Sequence, residues 1–314
     1  MQFNVFPHDA NFNFMRLRWV SAALSILMLV VAFGAMATKG FNFALDFTGG
    51  TSVELRYERP ADVDGVRERL DAAGFGGAQV QTYGSGADLL VRLQPKPGQK
   101  ADSSETADEV VRVASTSENP AKLMSSGYVG PQVCKELAQN GIYAMLFVII
   151  GFLAYISFRF EWKFAVAAII ATMHDVFVVA GWFAVSGHEF DLTVLAGVMG
   201  VMGFSINDTI VVFDRVRENF RGVRAPARDI LNASINQTLS RTVITSFVAL
   251  LTTLALYIYG GGSLQGMAES MMIGIIIGTM SSIFVACPLL LWLGVTKQDL
   301  MPKARDDAEL ARRP

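Results

Sequence analysis

The sequence has few charged residues, and it has only two cysteines and three histidines among its 314 positions. Asp, Glu, Lys and Arg together make up 17% of the chain, whereas soluble domains average about a quarter. Because 52% of the residues are apolar, this deficit of charge indicates a membrane protein. The formal net charge of -2 gives no indication of a nucleic-acid partner, and no basic patch interleaved with aromatic residues lies outside the predicted cytoplasmic loops. We therefore predict no nucleic acid as a partner.

The two cysteines fall in different predicted environments. Cys134 lies just before a predicted membrane span, and Cys287 lies deep inside another one. The chain also has no CxxC pair and no Cys/His spacing that is typical of a metal site. We therefore predict no disulfide, no metal and no cofactor.

Six apolar stretches are long enough to cross a bilayer, for which a helix needs about 20 mostly apolar residues. The predicted spans are residues 19–38, 141–158, 164–186, 192–213, 242–259 and 267–295. The first span ends in Ala35-Met36-Ala37, which resembles a signal-peptide cleavage site. Its apolar run exceeds the roughly 7–15 residues of a signal core, so we expect it to be retained as an anchor.

The orientation follows from the short connections, because Lys and Arg concentrate on the cytoplasmic side of a membrane. Basic residues lie in 1–18, between spans two and three, between spans four and five, and in the tail 296–314, whereas the turns 187–191 and 260–266 have none. We therefore predict that both termini are cytoplasmic. Residues 39–140 would lie on the opposite side of the membrane, and residues 141–295 would form the remaining five spans.

The polar segment 39–140 predicts a small α+β domain. Strand-like alternation at 51–57 is followed by a helical pattern that ends at Gly74, by two strands at 78–83 and 88–93, by a weaker helix at 105–113, and by a strand near 123–129. This order is that of a ferredoxin-like module, although 95–119 gives only weak signals. The carboxylates of this segment lie at positions typical of solvated faces. We therefore expect a surface that docks a peptide or partner domain, not an active site.

Asp208 is a carboxylate inside the fourth predicted span, about 9 Å from its charged end at 1.5 Å per residue. A charged group at that depth costs several kcal/mol unless it is paired, protonated or hydrated, and such groups often mark ion paths. The alternative is a structural carboxylate bonded to a neighbouring helix. Small residues that predict close helix packing lie nearby: Gly197, Gly200 and Gly203 on the fourth span, and Gly274 and Gly278 on the sixth.

Two further positions complete a candidate proton relay. Arg241 opens the fifth span, with Thr245 on the same side of the helix, and could act as a counter-ion to Asp208. The alternative is that Arg241 is only a positive-inside anchor that extends to the interface. Asp175 is the deepest carboxylate, and the adjacent His174 could titrate or be a satisfied core residue. Because neighbours on a helix point about 100° apart, only one of this pair need face the polar interior.

Five motifs in order give the chain a resemblance to a known family. They are DFTGG (46–50), YVGPQV (128–133), MHD (173–175), GFSINDTIVVFDRVREN (203–219) and LSRTVITS (239–246). With them the chain resembles the SecF-type members of the SecD/SecF family of bacterial protein export, within the resistance-nodulation-division superfamily. Cys134 departs from the family pattern, in which glycine is expected at that position.

The resemblance implies half of a resistance-nodulation-division bundle that pairs with SecD, assists the SecYEG translocon, and uses the proton-motive force to move preproteins across the inner membrane. YajC and YidC are further implied partners. The resemblance also implies a bacterial inner membrane, with residues 39–140 in the periplasm. It also implies that Asp208 and Arg241 take part in proton movement, with Asn207 in the same motif as a supporting residue. Since transporters of this class have two related halves, we expect another polypeptide or copy to supply the second.

Two other functions are compatible with buried acids. The first is a small-molecule or lipid efflux transporter of the same superfamily, but 51–94 is short and polar for a drug pocket. The second is an intramembrane enzyme, either a protease with paired Asp175 and Asp208 or a nucleophilic enzyme using Ser205 and His174. No oxyanion-hole motif accompanies these residues. We therefore expect a non-enzymatic function without catalytic residues.

Overall fold

A computed structural model describes residues 12–83, 86–93 and 103–300. Its first elements are α1 (Arg18–Thr38), β1 (Asn42–Phe43), α2 (Leu45–Thr48), β2 (Gly50–Tyr57), α3 (Val63–Ala72), β3 (Gln79–Tyr83), β4 (Asp88–Leu93), α4 (Ser103–Ala114) and β5 (Ala121–Val129). The others are α5 (Pro131–Arg159), α6 (Trp162–Ser186), β6 (Glu189–Phe190), α7 (Leu192–Gly222), α8 (Ala227–Tyr259), α9 (Gly262–Ser281), a π-helical turn (Ser282–Ala286) and α10 (Cys287–Trp292). Within the described residues, six helical segments have the length and apolar composition to cross a membrane.

The membrane helices run past the apolar stretches that predict them. Helix α5 begins at Pro131 instead of residue 141, α7 continues to Gly222 instead of ending at 213, and α8 begins at Ala227 instead of 242. Hydropathy marks where an apolar run stops, whereas backbone hydrogen bonds carry a helix onward into water. Local caps set the true ends, as at Asp191, whose carboxylate accepts a hydrogen bond from the Val194 amide at 2.7 Å before α7.

The domain between α1 and α5 is a four-stranded antiparallel sheet with the strand order β3-β4-β2-β5. Alternate residues of β2, such as Val53 and Leu55, are buried together with Val66 and Leu70 of α3 and with Val110 of α4. The two helices therefore cover one face of the sheet. The element order agrees with the sequence pattern, and the ferredoxin-like assignment stays a prediction. Residues 84–85 and 94–102, which include the first part of the weakly patterned segment 95–119, lie outside the described residues.

The domain is docked on the connection between α6 and α7. Strand β1 pairs in parallel with β6, which aligns Asn42 with Glu189 and Phe43 with Phe190. The guanidinium of Arg92 forms an ion pair with Glu189, and both side chains are mostly buried. The chain that leaves the first membrane helix is thus bound to the start of the fourth.

We predict that the Arg92–Glu189 pair holds this docked arrangement. Burial raises the pKa of Glu189, and the Arg92 charge opposes that rise. Replacing Arg92 with Ala leaves a buried carboxylate unpaired, which should lower the stability of the assembled protein by about 3 kcal/mol. The loss should shrink as the pH falls through the raised pKa of Glu189, because the protonated acid needs no cation.

Thermal unfolding across a pH series measures this effect. Arg67→Ala is the control, because Arg67 pairs with Asp64 on an exposed surface and should cost less than about 1 kcal/mol. The double variant Arg92→Ala/Glu189→Ala should lose less than the sum of the two single changes. Additive losses would show that the pair contributes nothing beyond its separate side chains.

Candidate functional site

Asp175 lies at the centre of the bundle, where no part of it reaches solvent. One carboxylate oxygen lies 2.9 Å from Nδ1 of His174, and the other accepts hydrogen bonds from Ser205 Oγ at 2.5 Å and Ser281 Oγ at 2.7 Å. Donors from α6, α7 and α9 therefore converge on one carboxylate. Helical geometry requires only one of these two neighbours to face the polar interior. In this structure both His174 and Asp175 are buried there and contact each other.

Only one of the two ring nitrogens of His174 has a hydrogen-bond partner among the described residues. Its Nε2 atom is buried and has no hydrogen-bond partner among the described residues. With Nδ1 bonded to a carboxylate, the neutral tautomer that carries its proton on Nδ1 leaves Nε2 as an acceptor. In that tautomer Nε2 keeps an acceptor lone pair that no described residue uses, while Nδ1 stays bonded to Asp175.

Asp208 is the second buried carboxylate and is 5% exposed. It accepts a hydrogen bond from Ser282 Oγ at 2.6 Å. The hydroxyl of Thr242 in α8 is within reach of this carboxyl, although it makes no hydrogen bond in the described part of the chain. Neutral hydroxyls therefore surround Asp208, and no cation contacts it among the described residues.

Arg241 does not contact Asp208. Its side chain is exposed, and it makes no ion pair within residues 12–83, 86–93 and 103–300, although its charge acts on the Asp208 carboxyl from a distance. Thr245 is exposed and donates to the carbonyl oxygen of Arg241 on its own helix at 3.0 Å. Asn207 is exposed as well. Helical spacing places residues on one side of a helix, but the direction of that side depends on tertiary packing.

Three of the glycines that predict close helix packing lie where α7 and α9 meet. A Cβ added to Gly197 would overlap Ser270, and one added to Gly274 would overlap Val201, so α7 and α9 pack with almost no space between them. Gly278 continues this seam, since its Cβ would lie 3.1 Å from that of Ser205.

The three glycines of α7 do not all face the same neighbouring helix. A Cβ at Gly200 would lie 3.6 Å from Met271 on α9, but one at Gly203 would lie 3.9 Å from Phe152 on α5. A step of three residues turns a helix by about 300°, so each glycine rotates away from the one before it. Gly197 and Asp208, eleven residues apart, do face the same helix.

The hydroxyls of Ser281 and Ser282 are members of the site that the sequence analysis did not assign, and it considered Ser205 only as the nucleophile of an alternative enzyme. A serine in an apolar span is ordinary, because it can bond to its own helix. The available signal was the adjacent pair Ser281-Ser282 beside the small-residue seam.

The fold and the site define a multi-pass membrane protein with an extramembrane α/β domain and carboxylates buried in its helical bundle. Residues 110–296 match the family described as "Protein export membrane protein SecD/SecF, C-terminal", and residues 34–61 match the "SecD/SecF GG Motif". The chain is 46% identical to the "Protein translocase subunit SecF" of Pseudomonas aeruginosa, covering 94% of this chain and 95% of that protein. It is 41% identical to the protein of the same name in Escherichia coli O157:H7, covering 92% and 90%.

The fold is similar to that of a solved structure, the SecDF of Thermus thermophilus, a translocon-associated membrane protein. The TM-score is 0.82 at 39% identity, over 92% of this chain and 39% of that one. This chain belongs to the SecF family and is a SecF-like subunit for protein translocation. SecDF relatives that join both subunits show that such a chain is part of a SecD/SecF complex. These findings do not favour the efflux alternative.

Proposed function

We propose that this subunit couples proton movement across the inner membrane to the export of preproteins. The observation that carries this proposal is the pair of buried acids, Asp175 and Asp208, hydrogen-bonded to neutral hydroxyls and to His174 without any Lys or Arg in contact among the described residues. A buried charge without a cation is costly. The protonation of each acid therefore depends on which solvent and which cation can reach it.

Arg241 is the cation that can change this balance. It lies near Asp208 without contact, and its approach would favour the carboxylate whereas its withdrawal would favour the protonated acid. Each proton that moves down the potential supplies about 2.3 kcal/mol per 100 mV. That energy biases a conformational equilibrium about fifty-fold, since about 1.4 kcal/mol corresponds to a factor of ten.

A second membrane bundle completes the site in this proposal. Asn207, Arg241 and Thr245 are polar and exposed although they lie on membrane helices, a position that is costly against lipid. SecD is the partner that would cover them. We further propose SecYEG as the translocon that is assisted, YajC and YidC as additional partners, cytoplasmic termini, and a periplasmic domain that contacts the preprotein. This function requires no enzymatic reaction.

The test compares export with and without a proton gradient. The chain is co-purified with SecD and reconstituted with SecYEG in proteoliposomes, and matched vesicles omit both SecD and the chain. A proton gradient should increase the export rate more in the complete vesicles, and a proton ionophore should remove that difference. The same stimulation in both vesicle types would contradict the proposal.

A further inference from the structure

Two consecutive serines, at the junction between α9 and the π-helical turn, contact different buried acids. Ser281 donates to Asp175 on α6 at 2.7 Å, and Ser282 donates to Asp208 on α7 at 2.6 Å. Consecutive residues on a helix point about 100° apart, which lets one short segment reach two neighbouring helices. A single peptide bond therefore links the hydrogen-bond partners of both acids.

Each serine also has a second acceptor on its own helix. Ser281 Oγ lies 3.2 Å from the Gly278 carbonyl oxygen, and Ser282 Oγ lies 2.9 Å from that of Thr279. A hydroxyl has one proton to donate and can also accept. It can therefore donate to a carboxylate, or turn its proton to the helix carbonyl and accept a hydrogen bond from the protonated acid. Each serine thus fits both charge states of its partner.

The backbone at this point departs from a regular α-helix. The π-helical turn begins at Ser282, and Pro288 follows two residues after it ends. Proline lacks an amide hydrogen and its ring crowds the carbonyl four residues earlier, which interrupts α-helical bonding. The thiol of Cys287 instead donates to the Ser282 carbonyl oxygen at 3.4 Å. Such turns are frequent at functional sites. This one begins at Ser282, whose amide still donates to the Gly278 carbonyl oxygen as in a regular α-helix.

We propose that Ser281 and Ser282 couple the protonation of Asp175 to that of Asp208, so that the two acids titrate as one linked unit. This inference rests on the proposed function. When Asp208 takes a proton from solvent, its carboxyl becomes a donor, and Ser282 turns its hydroxyl hydrogen to the Thr279 carbonyl. The proton stays on Asp208 and no covalent bond other than its O–H changes. The altered contact shifts the π-helical turn and, through the peptide bond, the neighbouring Ser281.

Few other titratable or charged groups face this unit within the described residues. His174 lies beside Asp175 on α6, Arg241 acts on Asp208 from α8, and Cys287 lies near Asp208 in α10. None of them contacts both acids through a hydrogen bond or ion pair in the described part of the chain. The serine pair is the connection that does so.

Infrared difference spectroscopy on the complex with SecD in proteoliposomes tests this coupling. The protonated Asp208 band, assigned with Asp208→Asn, is titrated in the parent and in Asp175→Asn. We expect Asp175→Asn to shift the Asp208 midpoint by about one pH unit, the size at which two groups titrate as a pair. When Asp175→Asn is added to the Ser281→Ala/Ser282→Ala variant, the Asp208 midpoint should shift by less than half as much. Ser282→Thr with Ser281 intact should restore the full shift.

Ser270→Ala is the matched control. Ser270 is a buried serine on the same helix, but its hydroxyl donates to the Met267 carbonyl and to neither acid. A shift that survives loss of both serines would overturn the inference and leave the proposed function intact. An Asp208 that keeps one charge state in the parent would overturn the proposed function itself. Co-elution with SecD confirms that every variant compared is assembled.

Discussion

Replacing Asp208 with Asn should abolish the part of preprotein export that depends on the proton gradient while the complex stays assembled. Asparagine has nearly the shape of aspartate, and its side-chain oxygen can still accept the hydrogen bond from Ser282 that the carboxylate accepts at 2.6 Å. It cannot bind or release a proton. Since one proton at 100 mV supplies about 2.3 kcal/mol, we expect the gradient-dependent rate to fall by at least about tenfold.

The measurement is the export rate in proteoliposomes with and without an imposed gradient, with co-purification of SecD as the test of assembly. Asp214→Asn is the matched control on the same helix. Asp214 is 41% exposed and pairs with Arg159 at 2.8 Å, an arrangement that contributes less than about 1 kcal/mol. It should therefore export normally. An Asp208→Asn complex that still responds fully to the gradient would remove Asp208 from the coupling mechanism.

The sequence predicts the six membrane helices because a bilayer imposes a length and a composition that can be read directly. It also indicates that Asp175 and Asp208 are important, since carboxylates in apolar spans are rare and costly. Their hydrogen-bond partners could not be predicted. Ser205 and Ser281 bond to Asp175 from two other helices, and no spacing within one helix encodes which neighbour it will meet.

Arg241 shows the same limit in another form. The helical rule places it on one side of α8 with Thr245, but the orientation of that side depends on how α8 packs against its neighbours. In this chain the side chain is exposed and makes no ion pair among the described residues. The π-helical turn was in principle more predictable, because Pro288 within an apolar span signals interrupted helical bonding.

In the small domain too, the sequence predicts the strands but not the contacts that dock the domain on the bundle. Alternating residues predict its strands, since buried positions such as Val53 and Leu55 repeat with a period of two. The docking of the domain on the bundle depends instead on β1 and β6, which have two residues each. Such short strands have no periodic signal, and their pairing brings together residues that are more than a hundred positions apart.

Replacing Gly274 with Ala should destabilise the seam between α7 and α9, by about 1–3 kcal/mol if the seam behaves like other overpacked cores. A Cβ at Gly274 would overlap the side chain of Val201 on the facing helix, and helices packed this closely cannot separate without losing contacts along their length. The same seam carries Ser205 and leads to Ser282, so a displaced α9 should also weaken the hydrogen bonds to both acids. Thermal unfolding of the complex with SecD measures the loss.

Val201→Ala separates this packing effect from a general intolerance of the helix to substitution. If the overlap with Val201 causes the loss, Gly274→Ala/Val201→Ala should be more stable than Gly274→Ala alone, since the second change removes the atoms that the new methyl group meets. Gly151→Ala is the control, because a Cβ there would meet no other helix or side chain within 4 Å among the described residues. It should leave stability unchanged or slightly raised, as alanine favours the helix by about 1 kcal/mol over glycine. A Gly274→Ala chain as stable as the parent would mean that α7 and α9 are not packed in direct contact at Gly274. The serine pair would then lack the rigid support on which its contacts with both carboxylates depend.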